Sequence, residues 1–253
     1  EDHSVFRAWV MYCYAASLVV SGSIQMLATR YLSDCVHTGD NDKLFASFIT
    51  VSSGIFAIQF STGLAYLFWS EFPFIQAFAG AILYAIITLI WIAMIYLSAA
   101  RDFITIVVAY AVGAVASFGL AYWMSLHYGL TGILYGYTLG QLILFSILVG
   151  RILQEFPIRL WYDGACLRFM WSSPVLAMTG FSYNSAIWID KILFWIYEGE
   201  ELRKGFYTCH FYETPTYLAY VTIVPTLSIF LIRIETSFYH SYRKYYMQIQ
   251  HKF

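Results

Sequence analysis

Runs of about twenty or more apolar residues constrain a chain more than any other feature, because a helix of that length matches the ~30 Å hydrocarbon thickness of a bilayer. This sequence carries seven such segments: Val5–Thr29, Leu44–Trp69, Phe74–Ala99, Phe103–Leu126, Gly132–Gly150, Phe169–Ile196 and Pro215–Ile232. Charged or turn-rich breaks separate them at 30–43, 70–73, 101–102, 127–131, 151–168 and 197–214. Of the 253 residues 60% are apolar and 11% charged, against roughly 25% charged in an ordinary soluble domain. A solvated globule of this size lacks the interior to hide that much apolar surface. The sequence therefore predicts an all-α, polytopic membrane protein with about seven transmembrane helices.

Several function classes drop out. Net charge is −1, from 14 Lys and Arg against 15 Asp and Glu, so there is no basic field for nucleic acid. The four cysteines, Cys13, Cys35, Cys166 and Cys209, share no C-x-x-C spacing, which argues against a metal knuckle or a disulfide scaffold. Glycine-rich nucleotide loops, H-E-x-x-H and G-x-S-x-G do not occur. No catalytic residue, metal or cofactor is expected. Cys209-His210 with Glu213 comes nearest to a ligand set, without the spacing of one.

Orientation follows from the basic residues. The side reached after each odd-numbered segment holds Arg30, Lys43, Arg101, Arg151, Arg159, Arg168, Arg233, Arg243, Lys244 and Lys252. The opposite side holds only Arg7, Arg203 and Lys204, while Lys191 sits within a segment. The richer side is cytoplasmic by this bias. The start at Glu1 and the end just after a charged segment lead us to expect a piece of a longer protein. The longest cytoplasmic break divides the chain into residues 1–150, with five helices, a connector at 151–168, and residues 169–253, with two helices and a tail. That break reads as an inter-lobe connector or as an ordinary loop. In the tail, Phe238, Tyr239, Tyr242, Tyr245 and Tyr246 recur at helical spacing beside Arg243 and Lys244. This suits an amphipathic helix on the cytoplasmic leaflet, or a plain extension of the last span.

Within the segments, Gly132, Gly136 and Gly140 form G-x-x-x-G-x-x-x-G, with Gly113 and Ser117 a shorter counterpart. Such a flat face serves tight helix packing, or an interface that slides. Asp190-Lys191 lies inside the sixth segment, where a charge costs about 2.5–3.5 kcal/mol on the insertion scale. The seven-residue spacings Asn184/Lys191 and Tyr183/Asp190 each place two residues on one face. They make a polar stripe of transport-pathway candidates; the plainer reading has Lys191 snorkelling and Asp190 pairing structurally. Arg233 and Glu235 close the last segment, Arg233 as an anchor and Glu235 as a partner for a connector cation. Gln25, Gln59 and Gln141 read as interhelical hydrogen-bonding groups, and Pro174 and Pro225 as residues within spans that kink helices or are simply tolerated.

Three stretches, SGSIQMLATRYLSD (21–34), FSYNSAIWIDKILFW (181–195) and YETPTYLAYVTIVPTLSIFLIRIETSFYHSYRKYY (212–246), resemble the PelG family of exopolysaccharide exporters. The resemblance is sequence-specific over about a third of the chain and rests on hydropathy elsewhere. It implies a twelve-helix, two-lobe, MATE-like flippase of the bacterial inner membrane, of which this chain resembles the second to eighth helices. It also implies a polysaccharide cargo rich in amino sugars, and as partners a cytoplasmic glycosyltransferase and membrane scaffold subunits. Asp190 would then assist a cationic cargo. Two other functions fit the sequence: a cation-coupled MATE-type antiporter, disfavoured by the lack of a mid-membrane acid in the first five segments, and a non-transporting scaffold for a synthase.

Overall fold

The computed structural model describes residues 2–233 and 238–250. Its helices are α1 (Asp2–Thr38), α2 (Asp42–Trp69), α3 (Phe74–Ala99), α4 (Phe103–Glu155), α5 (Gly164–Ser172), α6 (Pro174–Glu198), α7 (His210–Arg233) and α8 (Tyr239–Gln250). An antiparallel hairpin of β1 (Glu200–Arg203) and β2 (Phe206–Thr208) joins α6 to α7. The chain is an all-α, multi-pass membrane protein. Among the described residues four helices are long and apolar enough to cross a bilayer: Ser4–Thr38, Asp42–Trp69, Phe74–Ala99 and Phe103–Glu155. With Asn184, Asp190 and Lys191, α6 falls short of that apolarity.

α1 runs nine residues beyond the expected Thr29, because its polar residues do not break it. Thr29, Ser33 and Thr38 each donate a hydroxyl proton to the carbonyl one turn back, which satisfies the side chain within the helix. Gly39, at φ +78°, ends it. The expected break at 127–131 shrinks to one residue. Gly129, at φ +56°, folds the 53 residues of α4 into two rods, and these lie antiparallel. A Cβ on Gly140 would sit 2.3 Å from Ser117, and one on Gly136 2.5 Å from Leu120 and Ala121. The flat glycine face thus packs against the first half of α4 itself, with Gln141 Nε2 donating to Ser117 Oγ at 3.0 Å.

The expected sixth segment does not run unbroken. Ser173 separates α5 from α6, and Pro174 occupies the first turn of α6. There its missing N–H costs nothing, so of the two readings it is tolerated rather than kinking a helix, and it starts α6 instead of lying within a span. The 197–214 break is not plain loop either, since it holds the hairpin, and α7 starts at His210 rather than Pro215. Glu235 lies outside the described residues, as does the Pro225 side chain.

α3 is the central rod, packed on α1, α2 and α4, while α6 lies along α1. One core cluster centres on Phe45, Phe48, Tyr96, Leu148 and Cys166. A second, at the opposite end, gathers Trp9, Phe72, Leu83, Leu134 and Phe206. After α4 the connector turns inward at the buried Asp163. That carboxylate accepts from Tyr31 Oη and from the backbone N–H groups of Ala165 and Cys166, capping α5, and the Asp163 N–H donates to Thr50 Oγ1 at 3.0 Å. One acid thereby pins the connector to both α1 and α2.

Candidate functional site

Along α1, Ser17, Ser21, Gln25, Thr29, Ser33 and His37 recur at every fourth position, which keeps them on one slowly winding stripe. At the deep end Ser17 and Ser21 are fully buried. Ser17 Oγ accepts from Trp91 Nε1 at 3.2 Å, and Ser21 Oγ accepts from Gln25 Nε2 at 2.7 Å. The shallow end opens into a cleft of about 670 Å³ between α1 and α3, lined by Gln25, Thr29, Ser33, His37, Trp91 and Ser98 among others. No Asp, Glu, Lys or Arg side chain lines it. Thr29 and Ser33 spend their protons on their own helix and offer lone pairs, Gln25 and His37 add donors and acceptors, and Trp91 supplies a ring. Such a wall makes many modest contacts with a hydroxylated ligand and no deep one.

The cleft adjoins a smaller cavity of about 160 Å³, with which it shares Gln25, Thr29 and Ile95. Gly22, Gly180, Tyr183 and Asn184 also line this second space. Here α1 and α6 cross in backbone contact: a Cβ on Gly180 would sit 2.2 Å from the Gly22 carbonyl. Asn184 is buried and Tyr183 is exposed. The two therefore face different ways, yet both border the cavity.

Asp190 and Lys191 gather elsewhere, with residues of α7. Lys191 is 6% exposed. Its Nζ donates to Tyr220 Oη at 3.0 Å and sits 4.8 Å from the ring centres of both Trp188 and Tyr220, a cation–π arrangement that replaces hydration with aromatic faces. Asp190 accepts a hydrogen bond from Tyr212 Oη, and its other oxygen lies 4.0 Å from Lys191 Nζ without a hydrogen-bond partner. The pair thus closes a four-residue polar cluster between α6 and α7. Arg233 is exposed at the end of α7.

Glu213 accepts from Thr208 Oγ1, the Cys209 N–H and Trp195 Nε1, at 2.9–3.3 Å. Its carboxylate is thereby spent on the start of α7, and Cys209 and His210 do not join it as a ligand set: among the described residues no three His, Cys, Asp or Glu side chains gather as a metal site. Of the three glutamines, Gln141 bridges two rods, whereas Gln25 bonds within its own helix and Gln59 Nε2 has no partner. The six-residue ladder on α1 was not expected from the sequence. Its signal was the spacing of residues that are individually unremarkable.

A family model described as PelG, Putative exopolysaccharide Exporter (EPS-E), matches residues 1–253, the whole chain. No curated protein and no solved structure matches it.

Proposed function

Because the chain belongs to the PelG family of exopolysaccharide exporters, we propose that it forms part of a flippase-type path that carries a polysaccharide across the bacterial inner membrane. The supporting observation is the cleft between α1 and α3, where hydroxyl, amide and ring groups alternate with apolar side chains and no Asp, Glu, Lys or Arg intrudes, and its continuation to Tyr183 and Asn184. A moving polymer needs contacts that are numerous and individually weak, since deep binding lowers the ground state without lowering the barrier to the next step. In this reading α6 and α7 also cross the membrane, residues 1–150 belong to one lobe, 151–168 join the lobes, and 169–253 begin the second. The basic bias puts the His37 end of the cleft at the cytoplasmic face, where a glycosyltransferase would deliver the chain and scaffold subunits would hold it. Asp190 and Lys191 act further along, as a polar contact for amino-sugar units between α6 and α7. The helix α8, with exposed Tyr242, Tyr245 and Tyr246 beside Arg243 and Lys244, rests on the cytoplasmic leaflet.

Thr29→Trp in the intact protein tests this reading, because the side chain is exposed in the cleft and its replacement fills the space without touching a core. Secreted polymer should fall at least fivefold at unchanged protein level. Unchanged secretion would remove the cleft from the path.

A further inference from the structure

The hairpin covers a second crevice at the other end of the molecule. It has a volume of about 360 Å³, and five aromatic side chains line it: Trp9 and Tyr12 of α1, Tyr66 of α2, Tyr84 of α3 and Phe206 of β2. Gly80 lets the Trp9 indole lie against α3, since a Cβ there would meet the ring at 2.2 Å. Trp9 is 1% exposed, yet its Nε1–H has no hydrogen-bond partner. A buried N–H left unpaired is costly and calls for an acceptor. Tyr12 Oη accepts from the Tyr207 N–H at 3.0 Å, which leaves its own proton free to donate.

From this wall of rings and spare donors we infer that the crevice is a second saccharide site, built to hold one or two pyranose rings stacked on aromatic faces. Sugar C–H faces pack on aromatic rings, and sugar oxygens would take the Trp9 and Tyr12 protons. A lipid acyl chain satisfies neither donor. A neighbouring groove of about 340 Å³ shares Tyr12 and Ala16 with the crevice, is lined further by Val19, Val20, Ile192, Trp195 and Ile196, and offers almost nothing polar. That groove suits a lipid tail, whereas the crevice adds the Trp9 and Tyr12 donors that an acyl chain leaves unused.

The hairpin is the lid of this site. Phe206 is buried among Trp9, Tyr12, Tyr66 and Phe72, with ring centres 4.9–5.8 Å apart. Tyr66 Oη donates to the Gly205 carbonyl at 2.7 Å, and Lys204 pairs with Glu71 at 2.8 Å. Glu71 itself is held at φ +62°, a left-handed conformation that a non-glycine residue adopts only when its surroundings impose it. The crevice opens to the outside at Ala16, and lifting the hairpin frees the ring faces that Phe206 covers.

The identity of the ligand, though not the geometry, rests on the exporter reading, and the test separates the two. The intact protein in phospholipid nanodiscs is titrated with three hexasaccharides of glucose, N-acetylglucosamine and glucosamine, and cells carrying the same variants are assayed for secreted polymer. At least one hexasaccharide should bind. Ala16→Phe, which fills the mouth from an exposed position, and Trp9→Phe, which removes the donor together with part of the stacking face, should weaken that binding at least tenfold and fivefold respectively. Glu71→Gln should speed both association and release while leaving Kd within twofold. Absence of binding to the wild type overturns the site, and so does equal binding by Ala16→Phe. Because Ala16 borders both spaces, co-purification of a phospholipid that Ala16→Phe expels and the groove-filling Ile196→Trp retains also overturns it, and assigns the crevice to lipid. Secretion that persists alongside any of these leaves the exporter reading standing, whereas secretion indifferent to deletion of the whole protein ends it.

Discussion

Asn184 donates its side-chain amide to the backbone carbonyl of Leu18 at 2.9 Å, across the point where Gly22 and Gly180 bring α1 and α6 into contact. The bond and the glycines do different amounts of work. An interhelical side-chain bond in a membrane protein averages about 0.6 kcal/mol, whereas overpacking a tight contact costs about 1–3 kcal/mol. Asn184→Ala should therefore lower the melting temperature slightly, and Gly180→Val should lower it by several degrees. Equal losses in a detergent melt would mean that the hydrogen bond, not the close approach, sets the α1–α6 contact.

The same logic applies within α4. Gly140→Val drives a side chain into Ser117, while Gly119 has nothing within 4 Å of its would-be Cβ. We expect Gly140→Val to destabilise by about 1–3 kcal/mol. Gly119→Ala should be neutral or stabilise by up to ~1 kcal/mol, because alanine is the better helix former. A Gly119→Ala protein that melts lower than Gly140→Val would contradict the antiparallel packing of the two rods.

These examples show what a single chain conveys. Apolar runs and a G-x-x-x-G face were legible because length and small size are local properties. The role of Pro174 was not, because a proline at the first turn and one in mid-helix have the same neighbours in sequence and differ only in where the backbone starts to coil. The Glu200–Thr208 hairpin hid among charged residues that also make loops, and its hold comes from Phe206 meeting rings of α1 and α2 far away in the chain. Asp190 and Lys191 could be picked out as misplaced charges, but their partners Tyr212 and Tyr220 could not, since a tyrosine in a membrane span usually needs no explanation.

Two ion pairs outside the spans predict an acid response. The Arg151 hydrogen bond, aided by Thr105, holds the Asp102 carboxyl below its ordinary range, and Lys204 does the same for Glu71. A depressed carboxyl contributes stability that is complete above its unfolded pKa and disappears as pH falls through the folded one. The melting difference between wild type and Asp102→Asn should accordingly be largest near neutrality and shrink steadily below about pH 4. A difference that grows in acid would refute the pairing.

Burial pushes the Cys166 thiol up to about 12, with the Asp163 charge acting in the same direction. Since the thiolate is the reactive form, maleimide at pH 8 should leave Cys166 at least a hundredfold less modified in the folded protein than in denaturant. Rapid labelling of the folded protein, read by mass spectrometry, would show the connector to be open rather than pinned by Asp163.

The central claim is that polymer passes along the α1 ladder, and a photo-cross-linking amino acid at position 33 tests it most directly in cells that are making the polysaccharide. Ser33 borders the cleft, while Ile58 on α2 is exposed and borders none of the cavities described above. The account predicts that irradiation joins labelled polymer to the protein at position 33, and not at position 58. Adducts absent from position 33, or equally abundant at both, would contradict it.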